Sequence, residues 1–487
     1  MIVQTCIAIF LPTVLGFFII AVILRDENKT PLGERIGLSF PLGAGILTLQ
    51  MFILGILRVP LTLFNTAIPL FIELAVLATW IWYGKIMLIP RPAPGLFAEF
   101  TSPQNHWVKK CASAILLLWI GAKIGSVFME TGLRPIYSWD AWTNWSAAAK
   151  VFYNAHGLLL DAPAQDFFGK SVVYRIIVYP LHNHLIQVWM SLWLGKFDDV
   201  LIKFYNPIYF LSMAICFYYI ALREIKRILA LTLLVIILSA PMFSYHSIEA
   251  NSDLMLGVYL FLASASFLKA MRGNIDYWLL TGIYSAEALF TKQEAFFFIL
   301  PLILSAAVFL KFEIKRGSKI FAHILPLLTP FLAVIPWYVF TIYYGLDWGG
   351  MASWIVNHTT SNIGPDTNRI SAHLTFHPEV LSGYFFWLVT LNNFNVTIFF
   401  LPLLLIAQKK LSRESMHLLF PIIFYMLFFL IIYMFTPYYG WFLLGTIFYR
   451  NVLTCYPVAC LLIIVLLKKN DSFDPSFKNY QYLNNNR

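Results

Sequence analysis

Apolar runs of about 20 residues recur along almost the whole chain, each long enough to cross a hydrocarbon core about 30 Å thick. This feature decides the fold class. Backbone amides in lipid must find partners within the protein, so a spanning chain is either helical or a closed barrel. Barrel strands would be shorter and would alternate in polarity, whereas these runs are continuously apolar. The composition agrees: 487 residues, 60% hydrophobic and only 12% charged, with a mean hydropathy of +0.73. A soluble domain is nearer one-quarter charged. The expected fold is therefore an all-α polytopic integral membrane protein.

Candidate spans are 2–24, 38–56, 66–83, 111–128, 200–222, 228–247, 252–271, 275–291, 295–311, 320–344, 380–407, 416–436 and 441–466, about thirteen in all. Their orientation follows from Lys and Arg placement. Clusters at Arg25/Lys29/Arg35, Arg91/Lys109/Lys110, Arg223/Lys226/Arg227, Lys269/Arg272, Lys311/Lys315/Arg316/Lys319, Lys409/Lys410/Arg413 and Lys468/Lys469 are assigned inside. Segments 129–199, 248–251, 292–294, 345–379 and 437–440 then lie outside. No Lys or Arg precedes the first run, so it reads as an uncleaved span with its N-terminus outside. Residues 181–195 test the arrangement. If they crossed, every later cluster would change sides, so they are expected to lie at the outer interface or to enter it partway. The setting expected is a bacterial inner membrane with a cytoplasmic C-terminus.

The chain divides into N-terminal spans (1–110), a core (111–468) that includes outer loops 129–199 and 345–379, and a polar, Asn-rich tail (469–487) whose composition does not favour folding. The net charge of +10 comes from the clusters between spans and is no sign of nucleic-acid binding. Cys6, Cys111, Cys216, Cys455 and Cys460 fall in or beside apolar runs without metal-ligand spacing, as packing residues do.

A few ionisable residues break the apolar pattern on the expected outer side. Asp140 lies in Tyr137-Ser-Trp-Asp-Ala-Trp-Thr-Asn-Trp-Ser146, a polar stretch in which Trp142, Trp145, Ala149 and Phe152 recur at helical spacing. It could simply cap that helix, and the tryptophans could simply anchor at the interface. Asp253, in Glu249-Ala-Asn-Ser-Asp-Leu-Met-Leu256, sits where a span begins. There a carboxylate costs less than at mid-membrane and can favour the helix dipole. Glu249, one turn earlier, needs no more explanation than a solvated loop. Lys292, in Phe290-Thr-Lys-Gln-Glu-Ala-Phe-Phe297, interrupts an outer hairpin and wants either a carboxylate partner, Glu294 or Asp253, or a phosphate. Arg450 lies in the outer half of the last span and requires a buried carboxylate or an anionic ligand. His182 and His184 follow Tyr179-Pro180 and suit interfacial hydrogen bonding better than metal binding. No GxGxxG, P-loop, HExxH or Asp-x-Asp pair occurs, so machinery for a soluble nucleotide sugar is not visible.

Taken together, Trp139-Asp-Ala-Trp-Thr-Asn-Trp145, Tyr179-Pro-Leu-His182, Ala250-Asn-Ser-Asp253, Thr291-Lys-Gln-Glu294 and Arg450 with Pro457 resemble the multispanning glycosyltransferases of the C superfamily (GT-C). That group includes protein O-mannosyltransferases and the aminoarabinose transferase of lipid A. The likeness covers roughly residues 110–460. It implies a polyprenyl-phosphate sugar donor and an outward-facing site. The outer-loop acid maps to Asp140, the carboxylate after the following spans to Asp253, and the phosphate-contacting base to Lys292. The chain departs from the family where Ala141 follows Asp140, where Leu181 follows Pro180, and in the three spans before the matched core.

A lipid phosphate is a good leaving group and needs no strong general acid. Asp140 would then act as general base toward an acceptor hydroxyl, on a lipid, glycan or protein, with inversion at the sugar carbon. Lys292 and Arg450 would stabilise the departing phosphate. Asp253 would orient the acceptor or hold a cationic side chain, and Trp139, Trp142, His182 and Glu294 are candidate substrate contacts. No cofactor is predicted; the sequence leaves a divalent metal open without supporting one. The competing reading is a polytopic transporter or lipid flippase, which would more naturally show inverted repeats and interrupted helix pairs. A third is an assembly protein whose outer loops bind a partner.

Overall fold

The computed structural model describes residues 1–25, 30–89, 107–158, 160, 179–314, 321–343, 376–389, 391–394, 397–436 and 438–468, which are helical and contain no strand. Most of the expected outer loop 345–379, residues 161–178 and the tail 469–487 lie outside the described residues.

Helices α1 (Ile2–Ile23), α2 (Leu32–Ile56), α3 (Leu63–Tyr83) and α4 (Trp107–Leu133) precede the Asp140 loop. Within that loop are α5 (Ser146–Ala155) and α6 (His182–Leu194). Next come α7 (Tyr205–Glu224), α8 (Arg227–Leu238), α9 (Pro241–Ile248), α10 (Asp253–Met271), α11 (Asp276–Thr291) and α12 (Phe296–Ile314). The chain continues through α13 (Phe321–Leu328), α14 (Ile335–Tyr343), α15 (Glu379–Val389), α16 (Leu391–Phe394) and α17 (Thr397–Ala407). It closes with α18 (Arg413–Phe435), α19 (Tyr438–Leu443) and α20 (Thr446–Leu467).

Among the described residues, 10 helical stretches are long and apolar enough to cross a membrane, or 11 if the bent pair α8–α9 is one span. That pair bends by 64° where Pro241 opens α9. Proline has no amide proton to continue the preceding ladder but is well suited to a first helical position. The expected span 275–291 is the 16-residue helix α11. Within the expected span 380–407 the described residues form α15, α16 and α17.

The central helix is α10, buried along nearly its whole length against α7, α11 and α20. Helices α3 and α4 stand at the edge and leave most of their apolar surface exposed. Helices α1 and α2 touch backbone to backbone. A Cβ at Gly16 or Gly43 would collide with main-chain atoms of the opposite helix, so both positions require glycine.

Of the two placements expected for 181–195, lying along the outer interface does not fit helix α6, in which every residue but Trp193 is buried in protein. The Trp189 indole donates to the Ala8 carbonyl at 2.8 Å, tying α6 to α1.

Ionised groups collect at opposite ends of the central helices. At one end of α10 lies Asp253; at the other, Lys269 pairs with Glu34. The second group continues through Arg223 to Glu34 at 2.8 Å and through Arg272 to Glu224 and Glu414. Lys468 reaches Glu224 at 3.4 Å. With 19 residues, α10 separates the two groups by about 28 Å, close to a hydrocarbon thickness. Several of the basic clusters assigned to the inside thus share one end, and Asp140, Asp253, Lys292 and Arg450 share the other.

Candidate active site

The Asp140 segment folds as a π-turn, Ala141–Trp145, closed by the Ser146 amide donating to the Ala141 carbonyl. The wider turn rotates side chains away from α-helical spacing. Trp145 is therefore 1% exposed while Trp142, three residues earlier, is 61% exposed. Of the expected face, Trp145, Ala149 and Phe152 are buried and Trp142 is not. Asp140 directly precedes this turn, but its side chain makes no capping hydrogen bond. The carboxylate instead accepts from the Arg450 guanidinium.

Arg450 stands in the first turns of α20, entered through Gly445 at φ 69°, a left-handed conformation that favours glycine. Its Nη1 serves Asp140, and its Nε donates to Asp253 Oδ2 at 3.0 Å. Asp253 opens α10 without capping it. Its Oδ1 accepts from Lys292 Nζ at 3.0 Å, and Lys292 Nζ lies 2.8 Å from Glu294 Oε1. The result is an unbroken line of alternating charge: Asp140, Arg450, Asp253, Lys292, Glu294. The Asp253 side chain is 1% exposed and that of Asp140 is 32% exposed, so the line runs from the interior toward an accessible carboxylate.

Lys292 is the extended residue between α11 and the next helical turn, where the hairpin interrupts two apolar helices. Burial opposes its charged form, but the Asp253 and Glu294 carboxylates outweigh burial and hold its pKa above the ordinary lysine range. Its ammonium also lies 5.8 Å from the centre of the Tyr179 ring. Tyr179 in turn packs on Trp145, with ring centroids 4.8 Å apart. His246 on α9 places Nδ1 3.6 Å from Asp253 Oδ2.

Four widely separated segments therefore meet at Asp140, Asp253, Lys292 with Glu294, and Arg450. Other singled-out residues lie differently. Trp139 and Trp142 are exposed and pack on each other, with centroids 6.2 Å apart. His182 is fully buried. Its Nδ1 lies 2.5 Å from Thr48 Oγ1, and its Nε2 lies 2.9 Å from the Tyr209 hydroxyl and 3.2 Å from that of Tyr259. In this structure His182 fastens α6 to α2, α7 and α10 and presents no surface to a substrate. His184 is buried against Trp145 and Phe152.

Glu249 is not a solvated loop residue. It is fully buried, accepts from the Ser138 amide at 3.3 Å and lies 3.8 Å from Lys203 Nζ. Burial raises its pKa, and Lys203 and Ser138 act in the opposite direction. Sequence reasoning missed Lys203, although a lysine at the outer start of a span carries the same signal as Lys292. It also missed Asn206, an amide inside an apolar helix, which holds the carbonyls of Glu249 and Asn251. Among the described residues, no group of three or more His, Cys, Asp or Glu side chains could hold a metal ion.

No family model matches the chain, and no curated protein matches it by sequence. Among solved structures, the fold matches ArnT from Cupriavidus metallidurans in the apo state, with a TM-score of 0.51 and 13% identity over 77% of this chain. It also matches that protein bound to undecaprenyl phosphate, with a TM-score of 0.50 and 12% identity over 76% of this chain. In both comparisons the match spans 63% of ArnT, less than two thirds of its length. At such identities the likeness carries the fold. The chain shares an all-helical, polytopic membrane fold with ArnT.

Proposed function

We propose that this protein is a membrane glycosyltransferase that moves a sugar from a polyprenyl-phosphate-linked donor to an acceptor hydroxyl on the outer face of the membrane. The observation that carries this reading is the ion-paired line Asp140–Arg450–Asp253–Lys292–Glu294 at one end of the bundle. Charges in a membrane protein mark ligand pathways by default. This line offers two cations to an anion and one accessible carboxylate to a hydroxyl. The fold shared with ArnT, a protein solved with undecaprenyl phosphate bound, supports a lipid-linked donor.

In this reading the acceptor O–H gives its proton to Asp140 while its oxygen forms a bond to the sugar carbon. The bond from that carbon to the phosphate oxygen breaks, and its electron pair leaves with the polyprenyl phosphate. Lys292 and Arg450 hold the phosphate as its charge grows. Asp253 keeps both cations aimed, and attack opposite the leaving group inverts the sugar carbon. The remote basic clusters at the other end of α10 support an outer placement by the positive-inside rule.

The test is transfer of labelled sugar from polyprenyl-phosphate donors by the purified protein in lipid. Product formation that depends on Asp140 supports the proposal. Lipid movement across the bilayer without product, for every donor supplied, would replace it with the flippase reading.

A further inference from the structure

The carboxylates of Asp140 and Asp253 come from segments far apart in sequence, yet Arg450 joins them. That join alone cannot keep them in register during a reaction, because a bound phosphate competes for the same guanidinium. A second connection lies behind it. Ser138, two residues before Asp140, donates its amide to Glu249 Oε2 at 3.3 Å and its hydroxyl to Asn251 Oδ1 at 3.3 Å. Asn251 is two residues before Asp253. Ser138, Glu249 and Asn251 are all buried.

The Ser138 carbonyl also accepts from the Trp142 amide at 2.9 Å, so the bolt reaches directly into the turn after Asp140. The Glu249 side of the bolt is itself fixed. Asn206 donates to the Glu249 carbonyl and, at 3.4 Å, to that of Asn251. Asn183 donates to the Ala250 carbonyl at 2.9 Å and accepts from Tyr205 at 2.6 Å. Lys203 lies 3.8 Å from Glu249 Oε1 and donates to the Pro135 carbonyl at 3.4 Å. A buried carboxylate is costly unless it is bonded and paired, and Glu249 spends its bonding on the chain that carries Asp140.

We propose that Glu249 is a positioning residue, holding the Asp140 segment against the start of α10 so that the base stays in place when Arg450 turns to the donor phosphate. The catalytic part of this inference rests on the glycosyltransferase reading; the mechanical part does not. A base displaced by about 1 Å can cost about a hundredfold in rate.

The experiment compares wild type, Glu249→Ala and Glu249→Gln in lipid nanodiscs, by hydrogen exchange of the peptide covering 134–146 and by steady-state transfer kinetics. The glutamine oxygen can still accept from the Ser138 amide. Glu249→Ala should speed exchange in that peptide by roughly tenfold and leave the ion-paired end of α10 protected. It should lower kcat by about ten- to a hundredfold while KM for the donor rises no more than about twofold. Glu249→Gln should restore most of both. Unchanged exchange in Glu249→Ala overturns the bolt. A fall in kcat matched by an equal rise in donor KM overturns the positioning role in favour of general collapse of the site. Altered exchange in a protein that transfers no sugar keeps the bolt and removes the enzymatic reading. If Glu249→Ala fails to insert, Ser138→Ala removes the hydroxyl's bonds to Asn251, Glu249 and Tyr245 but keeps the amide bond to Glu249, and a smaller kcat loss of about threefold decides the same question.

Discussion

Replacing Asp140 by asparagine should separate two properties that usually fall together: transfer should collapse while the lipid phosphate binds more tightly. Asparagine keeps the size of the side chain and its bond to Arg450 but removes the negative charge and the capacity to accept a proton. Loss of a positioned general base costs about 10²- to 10⁴-fold in rate. The gain in binding comes from Arg450. Its guanidinium is shared by Asp140 and Asp253, whose charges compete with any incoming phosphate. A partly exposed ion pair contributes up to about 1 kcal/mol, and the Asp140 side chain is 32% exposed. Lifting that competition should tighten phosphate binding by about fivefold. The assay pairs titration of purified protein with undecaprenyl phosphate and labelled-sugar transfer. Transfer within tenfold of wild type would remove Asp140 from the proton step. Weaker phosphate binding would show that Asp140 holds Arg450 in place for the donor, and the competition argument would fail.

Further variants probe other parts of the molecule. Lys292→Ala should raise KM for the donor by about tenfold or more and leave KM for the acceptor nearly unchanged, because its ammonium faces Asp253 and Glu294 where an anion would sit; equal effects on both substrates would contradict its assignment to the phosphate. His182→Ala should lower thermal stability by about 2–3 kcal/mol through loss of its bonds to Thr48, Tyr209 and Tyr259. Both Michaelis constants should stay within about twofold, and a selective rise in either would restore His182 as a substrate contact. Arg272→Ala, at the far end of α10, should lower the melting temperature by releasing Glu224 and Glu414 without changing donor KM; a donor effect would mean that the two ends are energetically coupled.

The spans were legible because a lipid solvent imposes one rule, and continuous apolar runs obey it. Asp253, Lys292 and Arg450 stood out for the converse reason: each breaks an apolar pattern where the break costs free energy, whereas Asp140 stood out as a carboxylate among tryptophans in a polar stretch. What stayed hidden depended on contacts between distant segments. Glu249 sits in a short polar linker, where a solvated carboxylate is the ordinary reading, and only the approach of Ser138 and Lys203 makes it structural. The residues of α6 looked interfacial because their length is short of a span, yet α1, α2, α3 and α5 enclose them. The position of Trp142 was misread for a local reason. Helical spacing assumes α geometry, and one π-turn is enough to send Trp142 outward and Trp145 inward.

The charge balance of the site bears on why one carboxylate is accessible while its neighbours are buried. Asp140, Asp253 and Glu294 against Lys292 and Arg450 give three negative and two positive charges, a net of −1. A sugar phosphodiester carries one negative charge. Its product, a phosphate monoester, approaches two, because the second pKa is about 6. If the proposed reaction left Asp140 ionised, the site would have to absorb that extra charge in a medium of low dielectric, where each unit is costly. Proton transfer to Asp140 removes one negative charge as the phosphate gains one, so the total does not change. In the proposed reaction Arg450 faces both events. It loses the charge of Asp140 as it gains that of the phosphate, while Asp253 stays bound to its Nε. A hand-off of this kind requires the carboxylate that takes the proton to be the one that shares the arginine. Moving the acid elsewhere, as in an Asp140→Asn variant with a new carboxylate supplied on Trp142→Asp, should therefore fail to restore transfer even if that carboxylate reaches the acceptor; recovery of wild-type rate would refute the coupling.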